Sequence, residues 1–354
     1  MYARREEPTK PAWSNDQLDS ASPPEIEVPH FDDSLGAWVL SRYSDVLAAF
    51  RSSSLFPIGP NSNADSEPPD ERSQLKMREE TREALSPAQL RSWRESMAPS
   101  VHSLADSLPT DEPVDLVTKY ARPSCLALAA TVTGIDPRDA ERLDRIAEPI
   151  SAFAAEPYDQ VLRSRAKAAK VELQSCFHRE PEFLRHSGFV ALAHTMPRLL
   201  ANAWFALLQH PQQWGMLHQE PGLTEQAIEE LLRYAGLPRI LFRKASEDIV
   251  LGGSHIRKGD RIVLRIIAAN RDPERFSNPD QVDLTRGGTG QLTLGAGPHS
   301  CIGASLIRMT AVMISRPLLE RFVRVNLSEP VEWQGGSGFR YPASLVVSLE
   351  RDLV

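Results

Sequence analysis

LGAGPHSCIGASLIR, residues 294–308, sets a single cysteine, Cys301, between a glycine-rich turn and the start of a helix. Gly295, Gly297 and Pro298 before the cysteine, and Gly303 after it, let the backbone turn tightly and come close to a large, flat partner. From Ala304 to Met313 the residues follow a helical period, so Cys301 stands near a helix N-terminus, where backbone amides favour an anionic thiolate. A metal-ligating cysteine needs that form. An isolated cysteine in a turn is more often plain buried filler, so the rest of the chain decides.

A chain of 354 residues can form one large domain or two ordinary ones and can bury a cofactor-sized pocket. The net charge of -7 argues against a nucleic-acid binder that gains affinity by neutralising phosphates. The opening MYARREEPTKPAW mixes both charge signs around no apolar core, unlike a secretory signal, and no uncharged apolar run reaches membrane-spanning length. Three scattered cysteines, Cys125, Cys176 and Cys301, suit a reducing cytoplasm, which is the expected location.

Residues 1–24, rich in Pro, Ser, Glu and Asp, are expected to be flexible, with residues 25–354 forming a single domain. Gly36 to Phe50 reads as a strand around Trp38 and Val39 running into a helix capped by Ser44. A polar loop over 61–72 precedes a charged surface helix from Ser73 to Leu85, stopped at Ser86-Pro87. Val114 to Gln174 is helix-rich, with breaks near Gly134 and Pro157, and Glu180 to Gly188 reads as a polar connection. Phe189 to Leu208 predicts a long central helix interrupted by Pro197, and Thr224 caps a further helix ending at Tyr234. From Ile240 the pattern changes to short strands separated by Gly-Gly and Lys-Gly-Asp turns, and strands return over Val323 to Leu349. Mostly helical, with strands toward both ends, the chain is expected to be an α+β fold.

Glu230 and Arg233 share a helix face, a pairing that alone means little. It becomes specific when followed by Ala269-Asn270-Arg271-Asp272-Pro273 and then by Gly297-x-x-x-Cys301-x-Gly303 in this order and spacing. On these motifs the chain, from about Trp38 onward, resembles a soluble bacterial cytochrome P450. The resemblance implies a long central helix over haem b, small peripheral sheets, and iron held by the Cys301 thiolate within the loop formed by Leu294, Gly297 and Gly303. A sulfur ligand of that kind pushes electron density toward iron and favours O–O cleavage. Arg78, Arg243 and His299 match the positions that pair with the haem propionates, and Gln74 stands where the family often has His. Glu230 and Arg233, with Arg286 as a third member, match the ion pair that supports the cysteine loop. Leu294 replaces the family's usual Phe, which implies a different contact with haem and a shifted potential.

On the oxygen side the resemblance is looser. Thr195 matches the family's groove threonine, but Leu192 replaces a small residue and His194 replaces an acid. Pro197 deprives the Ala193 carbonyl of its helical donor, which predicts a bend that opens a groove along Ala191 and Thr195. His194 is then a candidate proton carrier beside Thr195, and its alternative role is a packed helix residue with one satisfied nitrogen. The short stretch between Arg165 and Phe189 implies an abbreviated lid. Ala191, Thr195, Ile240, Leu241, Phe242 and Phe339 are the expected pocket, and their mostly apolar character predicts a hydrophobic small-molecule substrate. The leading function is a monooxygenase served by a separate ferredoxin and ferredoxin reductase, since no flavin or iron–sulfur motif appears. Alternatives are a peroxide-driven haem-thiolate enzyme and a catalytically silent haem-binding sensor. Neither nucleic acid nor membrane is expected as a partner.

Overall fold

The computed structural model describes residues 25–59, 70–177, 182–286 and 290–352. The segment expected to be flexible, 1–24, and most of the loop over 61–72 lie outside the described residues. The chain opens with β1 (His30–Asp32), β2 (Ala37–Leu40), α1 (Tyr43–Arg51) and β3 (Leu55–Pro57). A helical stretch follows: α2 (Glu71–Ala84), α3 (Pro87–Asp106), the two-residue β4 (Val114–Asp115), α4 (Arg122–Thr133), α5 (Pro137–Ala155) and α6 (Gln160–Ser175). It continues through α7 (Glu182–Val190), α8 (Met196–Leu208), α9 (Pro211–Gln219) and α10 (Thr224–Ala235). Next come β5 (Ile240–Ala245), β6 (Ile249–Leu251), β7 (Ser254–Ile256), β8 (Arg261–Arg265) and the four-residue α11 (Ile266–Ala269). The last elements are α12 (Ala304–Arg321), β9 (Arg324–Leu327), β10 (Trp333–Gly335), β11 (Arg340–Pro342) and β12 (Val346–Glu350). The architecture is the expected α+β one, mostly helical. No helix among the described residues is long and apolar enough to cross a membrane.

The largest sheet has the order β1-β2-β8-β5-β3, with β2 and β8 parallel and its other pairs antiparallel. β12 pairs with both β4 and β9, so residue 115 is joined to the end of the chain. The main core surrounds α8. That helix is apolar on nearly every face, a composition that is stable only when buried. Two of its polar groups are anchored: Trp204 Nε1 donates to Ser315 Oγ at 3.0 Å, and Asn202 Nδ2 donates to the Arg340 carbonyl at 3.0 Å. Tyr120 packs on Trp204 and donates its hydroxyl to the Ile314 carbonyl at 2.8 Å.

Several local expectations are corrected. Ser44 does not cap α1. The helix starts at Tyr43, and its amide donates at 2.7 Å to the carboxylate of Asp272, far along the chain. Thr224 is the first helical residue of α10 rather than its cap, and its hydroxyl turns back to the Pro221 carbonyl. α3 lies beyond the helices expected from sequence, although Ser86 caps it and Pro87 occupies its first position, where a missing N–H is harmless. Residues 182–188 are helical rather than a connection. Pro197 does not interrupt the central helix. Residues Ala191–Thr195 widen into a π turn in which the Met196 amide reaches five residues back to the Ala191 carbonyl. That shift of register leaves Pro197 in the first turn of α8, so the absent donor is absorbed without a break. The stretch from Arg165 to Phe189, expected to carry an abbreviated lid, holds the rest of α6 and then α7, while upstream of it the Tyr158 ring in the α5–α6 connection packs edge-on against Phe242 at 5.8 Å.

The β10–β11 turn is held against the end of α5. The Gly338 amide donates to the Ala155 carbonyl at 3.0 Å, and a Cβ on Gly338 would drive into the Ala154 carbonyl oxygen and come within 2.9 Å of Pro157. Backbone cannot swing aside as a side-chain end can, so Gly338→Ala is expected to destabilise the protein by about 1–3 kcal/mol. A thermal melt by circular dichroism checks this, and an unchanged midpoint would contradict the close approach.

Candidate active site

The cysteine loop is built from its backbone outward. Gly295 and Gly297 have φ of 66° and 56°, and a Cβ on Gly295 would strike the His299 carbonyl. That compact turn brings the Cys301 amide to the Leu294 carbonyl at 2.6 Å, so Leu294 and Cys301 clamp the two ends of the loop together. Leu294 is buried and Cys301 is half-buried. A Cβ on Gly303 would lie 3.9 Å from Cys301 Sγ, an ordinary contact, so the sulfur is uncrowded on this side whatever residue stands there. Burial raises the thiol pKa, while the Gly303 amide and the Arg78 and Arg308 charges pull the other way without winning. The expectation that the helix N-terminus alone would favour the thiolate is therefore corrected: in the protein by itself, desolvation dominates.

Behind the loop, Glu230 and Arg233 are fully buried and make a bidentate pair at 2.7 and 2.8 Å. The remaining guanidinium donors reach the carbonyls of Asn270, Pro279 and Gln281 at 2.8–3.1 Å. Glu230 also accepts the Asp283 amide at 3.0 Å, and Arg286 lies 3.2 Å away as the third member of the group. Every charge here is met by several partners, and a buried ion pair persists only under that condition. The network reaches the cysteine loop through Asn270, part of the motif singled out in the sequence, and Thr293, which sequence reasoning passes over. Asn270 donates to Thr293 Oγ1 at 2.9 Å and accepts the Leu292 amide at 2.7 Å, while Thr293 donates to the Leu232 carbonyl at 2.6 Å. Gly236 has no Cβ, and one placed there would collide with Thr293 Oγ1, so this glycine lets the loop dock on α10. For Thr293 the hint in the chain itself is a lone threonine between leucines at 292–294.

Three candidate anion-binding groups gather on one side of the loop. Arg78, from α2, donates to Ser300 O at 3.0 Å and Ser300 Oγ at 3.3 Å. Gln74 lies one turn earlier, half-buried. Arg243 is buried in β5 over the Phe50 ring. Its Nη1 finds only its neighbour's carbonyl, and its Nε is buried with no partner. Burial pushes this guanidinium down to about 10. His299 Nε2 is likewise buried and unpartnered, and burial together with the Arg243 charge holds its imidazole below the usual value. An anion bound beside the loop would give both orphaned donors an acceptor.

On the central helix, Ala191 is exposed and Thr195 half-buried, while Leu192, Ala193 and His194 are buried. Ala191 and Thr195 thus form an opening in an otherwise covered helix. His194 Nε2 meets Asp144 of α5 twice, at the carbonyl (3.0 Å) and at Oδ1 (3.1 Å), a contact that nothing in the local sequence announces. Strand alternation divides the other expected pocket residues. Ile240 and Phe242 pack with Val39 and Val263, whereas Leu241 lies on the opposite face with Phe50, so the three do not line one pocket together. Phe339 bridges to Pro238, just before β5.

Comparison with known proteins agrees with this geometry. The family model described as cytochrome P450 matches residues 209–332. The biotin biosynthesis cytochrome P450 of Bacillus subtilis is 30% identical over 298 residues, covering 75% of each chain. Nocardicin C N-oxygenase of Nocardia uniformis is 28% identical over 369 residues, covering 91% of each. Among solved structures, P450BioI in complex with a hexadec-9Z-enoic acid ligated acyl carrier protein superposes with a TM-score of 0.78 at 27% identity, covering 89% of this chain and 92% of that one.

Proposed function

We infer that this chain, which belongs to the cytochrome P450 family and is a monooxygenase of that family, acts on an apolar organic substrate with electrons from a separate ferredoxin and its reductase. The observation that carries the reading is the pairing of one uncrowded, loop-clamped cysteine with buried, unsatisfied cationic donors beside it. The compartment proposed is the cytoplasm, on the ground that all three cysteines are free thiols.

The family's cofactor is haem b, and the residues present fit it. Cys301 would ligate the iron. Arg78, Arg243 and His299 would meet the two propionates, which supply the acceptors that Arg243 Nε and His299 Nε2 lack. Gln74 would add a hydrogen bond, Leu294 and Gly297 the loop surface, and Gly303 an amide donor toward the sulfur. When bound, haem supplies dioxygen activation, assisted by electron donation from the sulfur. The chain's own residues supply the rest. Ala191 leaves room beside the π turn, and Thr195 holds a proton on its hydroxyl at that opening. His194 carries protons to it from the side of the helix facing α5. Leu241, which shares the Arg243 face of β5 against Phe50, excludes water with Phe339 and orients the substrate by shape, whereas Ile240 and Phe242 back the opposite face of the strand.

Arg243→Ala removes a buried charged donor worth about 1.5–3 kcal/mol to its acceptor. Haem is expected to transfer to an acceptor globin roughly tenfold faster or more, and equal transfer rates would remove Arg243 from the propionate site.

Reconstitution with a surrogate ferredoxin, its reductase and isotopically labelled dioxygen tests the function. Hexadec-9Z-enoic acid, the acyl group in the similar acyl carrier protein complex, serves as an apolar probe alongside a panel of others. Product carrying one labelled oxygen supports the monooxygenase. Product formed only with added peroxide favours peroxide-driven chemistry. No product from any probe with haem bound would favour a silent haem-binding protein.

A further inference from the structure

The family's proton-relay acid is absent from the central helix, where His194 stands in its place, but a carboxylate reaches the same point from another element. Asp144, on α5, is 13% exposed and takes His194 Nε2 both on its carbonyl oxygen at 3.0 Å and on Oδ1 at 3.1 Å, and Arg122, the first residue of α4, donates to its second carboxylate oxygen at 3.0 Å. Burial works against ionisation of this carboxyl, yet the His194 and Arg122 contacts together hold it below the usual carboxylate range. Asp144 also lines a cleft of about 370 Å³ with Thr118, Glu141 and Arg145. His194 lines a second cavity of about 100 Å³ with Pro197, Arg198 and Tyr341. The two spaces share Arg122 and Ala193 as lining, so room for water lies on both sides of the Asp144–His194 contact.

We propose that Asp144 and Arg122 are positioning residues that make His194 a proton carrier, so that the carboxylate of this relay sits on α5 instead of the central helix. The inference rests on the reading of His194 given above. Asp144 fixes the ring through Nε2 and balances the imidazolium charge, and Arg122 keeps the carboxylate ionised and turned inward. The imidazole takes a proton from water in the adjoining cavity and releases it from Nδ1 toward the Thr195 opening, returning to neutral. No electrons move. Nδ1 suits this exchange because it makes no hydrogen bond among the described residues. The other charged or titratable groups around His194 are Arg198, Tyr341 and Arg122, with Glu148 acting on Arg198 and Glu141 and Arg145 on the outer cleft.

The test uses the haem-loaded protein with surrogate ferredoxin, reductase and NADH, reading dioxygen consumption in water and heavy water, which needs no known substrate. Asp144→Asn preserves shape but not charge. It is expected to slow consumption about tenfold and to raise the solvent isotope effect, with Asp144→Glu recovering most of the rate. His194→Ala should cost at least as much, and the double variant should be no worse than His194→Ala alone. A readout independent of turnover is the His194 Nε2 proton in the magnetic resonance spectrum of the reduced carbon monoxide complex. It should lie downfield in the wild type and in Asp144→Glu, and move upfield in Asp144→Asn, as a charge-assisted bond is lost. An unaffected His194→Ala would overturn the carrier reading itself. A slowed His194→Ala beside an unaffected Asp144→Asn, or additive losses in the double variant, would overturn this inference alone. If Asp144→Asn does not hold haem, Arg122→Gln, altering a half-exposed side chain, must slow consumption in the same direction, and an unchanged rate there would reject the proposal.

Discussion

Cys301→Ser is expected to leave a folded protein whose reduced carbon monoxide complex lacks the strongly red-shifted Soret band and whose oxygen insertion falls below detection. The fold should survive because the loop is held by backbone: the Cys301 amide on the Leu294 carbonyl, the glycine turn, and the anchors at Leu292 and Thr293 do not involve the sulfur. The chemistry should not survive. A hydroxyl at this position is harder to ionise than a thiol and donates far less electron density when it binds iron. Far-ultraviolet circular dichroism separates the two effects. A wild-type spectrum without the band, or a serine variant that keeps it, would refute the assignment of Cys301 as ligand.

Glu230→Gln is expected to be nearly as damaging by a different route. It neutralises one partner of a pair with no solvent exposure on either side chain, and the charge of Arg233 stays inside the protein. Breaking a buried pair in this way costs about 3–5 kcal/mol, a large share of the roughly 5–15 kcal/mol by which domains are stable. Arg233→Lys should fare little better, because three ammonium donors cannot reproduce the contacts to Glu230, Asn270, Pro279 and Gln281. The adjacent pair Glu229–Arg308, with side chains 30% and 43% exposed, provides the control: Glu229→Gln should cost no more than about 1 kcal/mol. Haem content per protein and the denaturant midpoint measure both. Equal behaviour of Glu230→Gln and Glu229→Gln would show that burial does not set the difference.

The loop, the ion pair and much of the order of helices and strands, though not α3 or α7, are legible in the chain because each depends on residue types at short spacing. The glycines around Cys301, the three-residue step from Glu230 to Arg233, and the largely apolar α8 all carry their meaning locally. Contacts between distant segments are not legible. Nothing near His194 in the chain points to Asp144, which arrives on α5 after a turn through Gly134. Ser44 is a reasonable cap by local rules, yet the Asp272 carboxylate takes that role by tertiary packing. Pro197 reads as a break because the rule concerns a straight α-helix, whereas a π turn can move the missing donor into a first turn. Pocket membership fails at β5 for a related reason. Consecutive apolar residues look alike in sequence, but a strand sends them to opposite faces.

The dependence of α1 on Asp272 also bears on how the protein is made. β2 lies parallel to β8, and the first amide of α1 is satisfied by a residue 229 positions later. On a ribosome adding about 5–20 residues per second, that partner follows by roughly ten seconds to most of a minute. Through that interval the N-terminal corner has its apolar residues but neither its sheet neighbour nor its cap, so it must wait in the open or be shielded by a chaperone. Pairings so distant in sequence also slow spontaneous assembly. Nascent chains stalled before residue 260 should therefore leave Val39, Val46 and Phe50 open to protease, and chains stalled well past residue 293 should protect them.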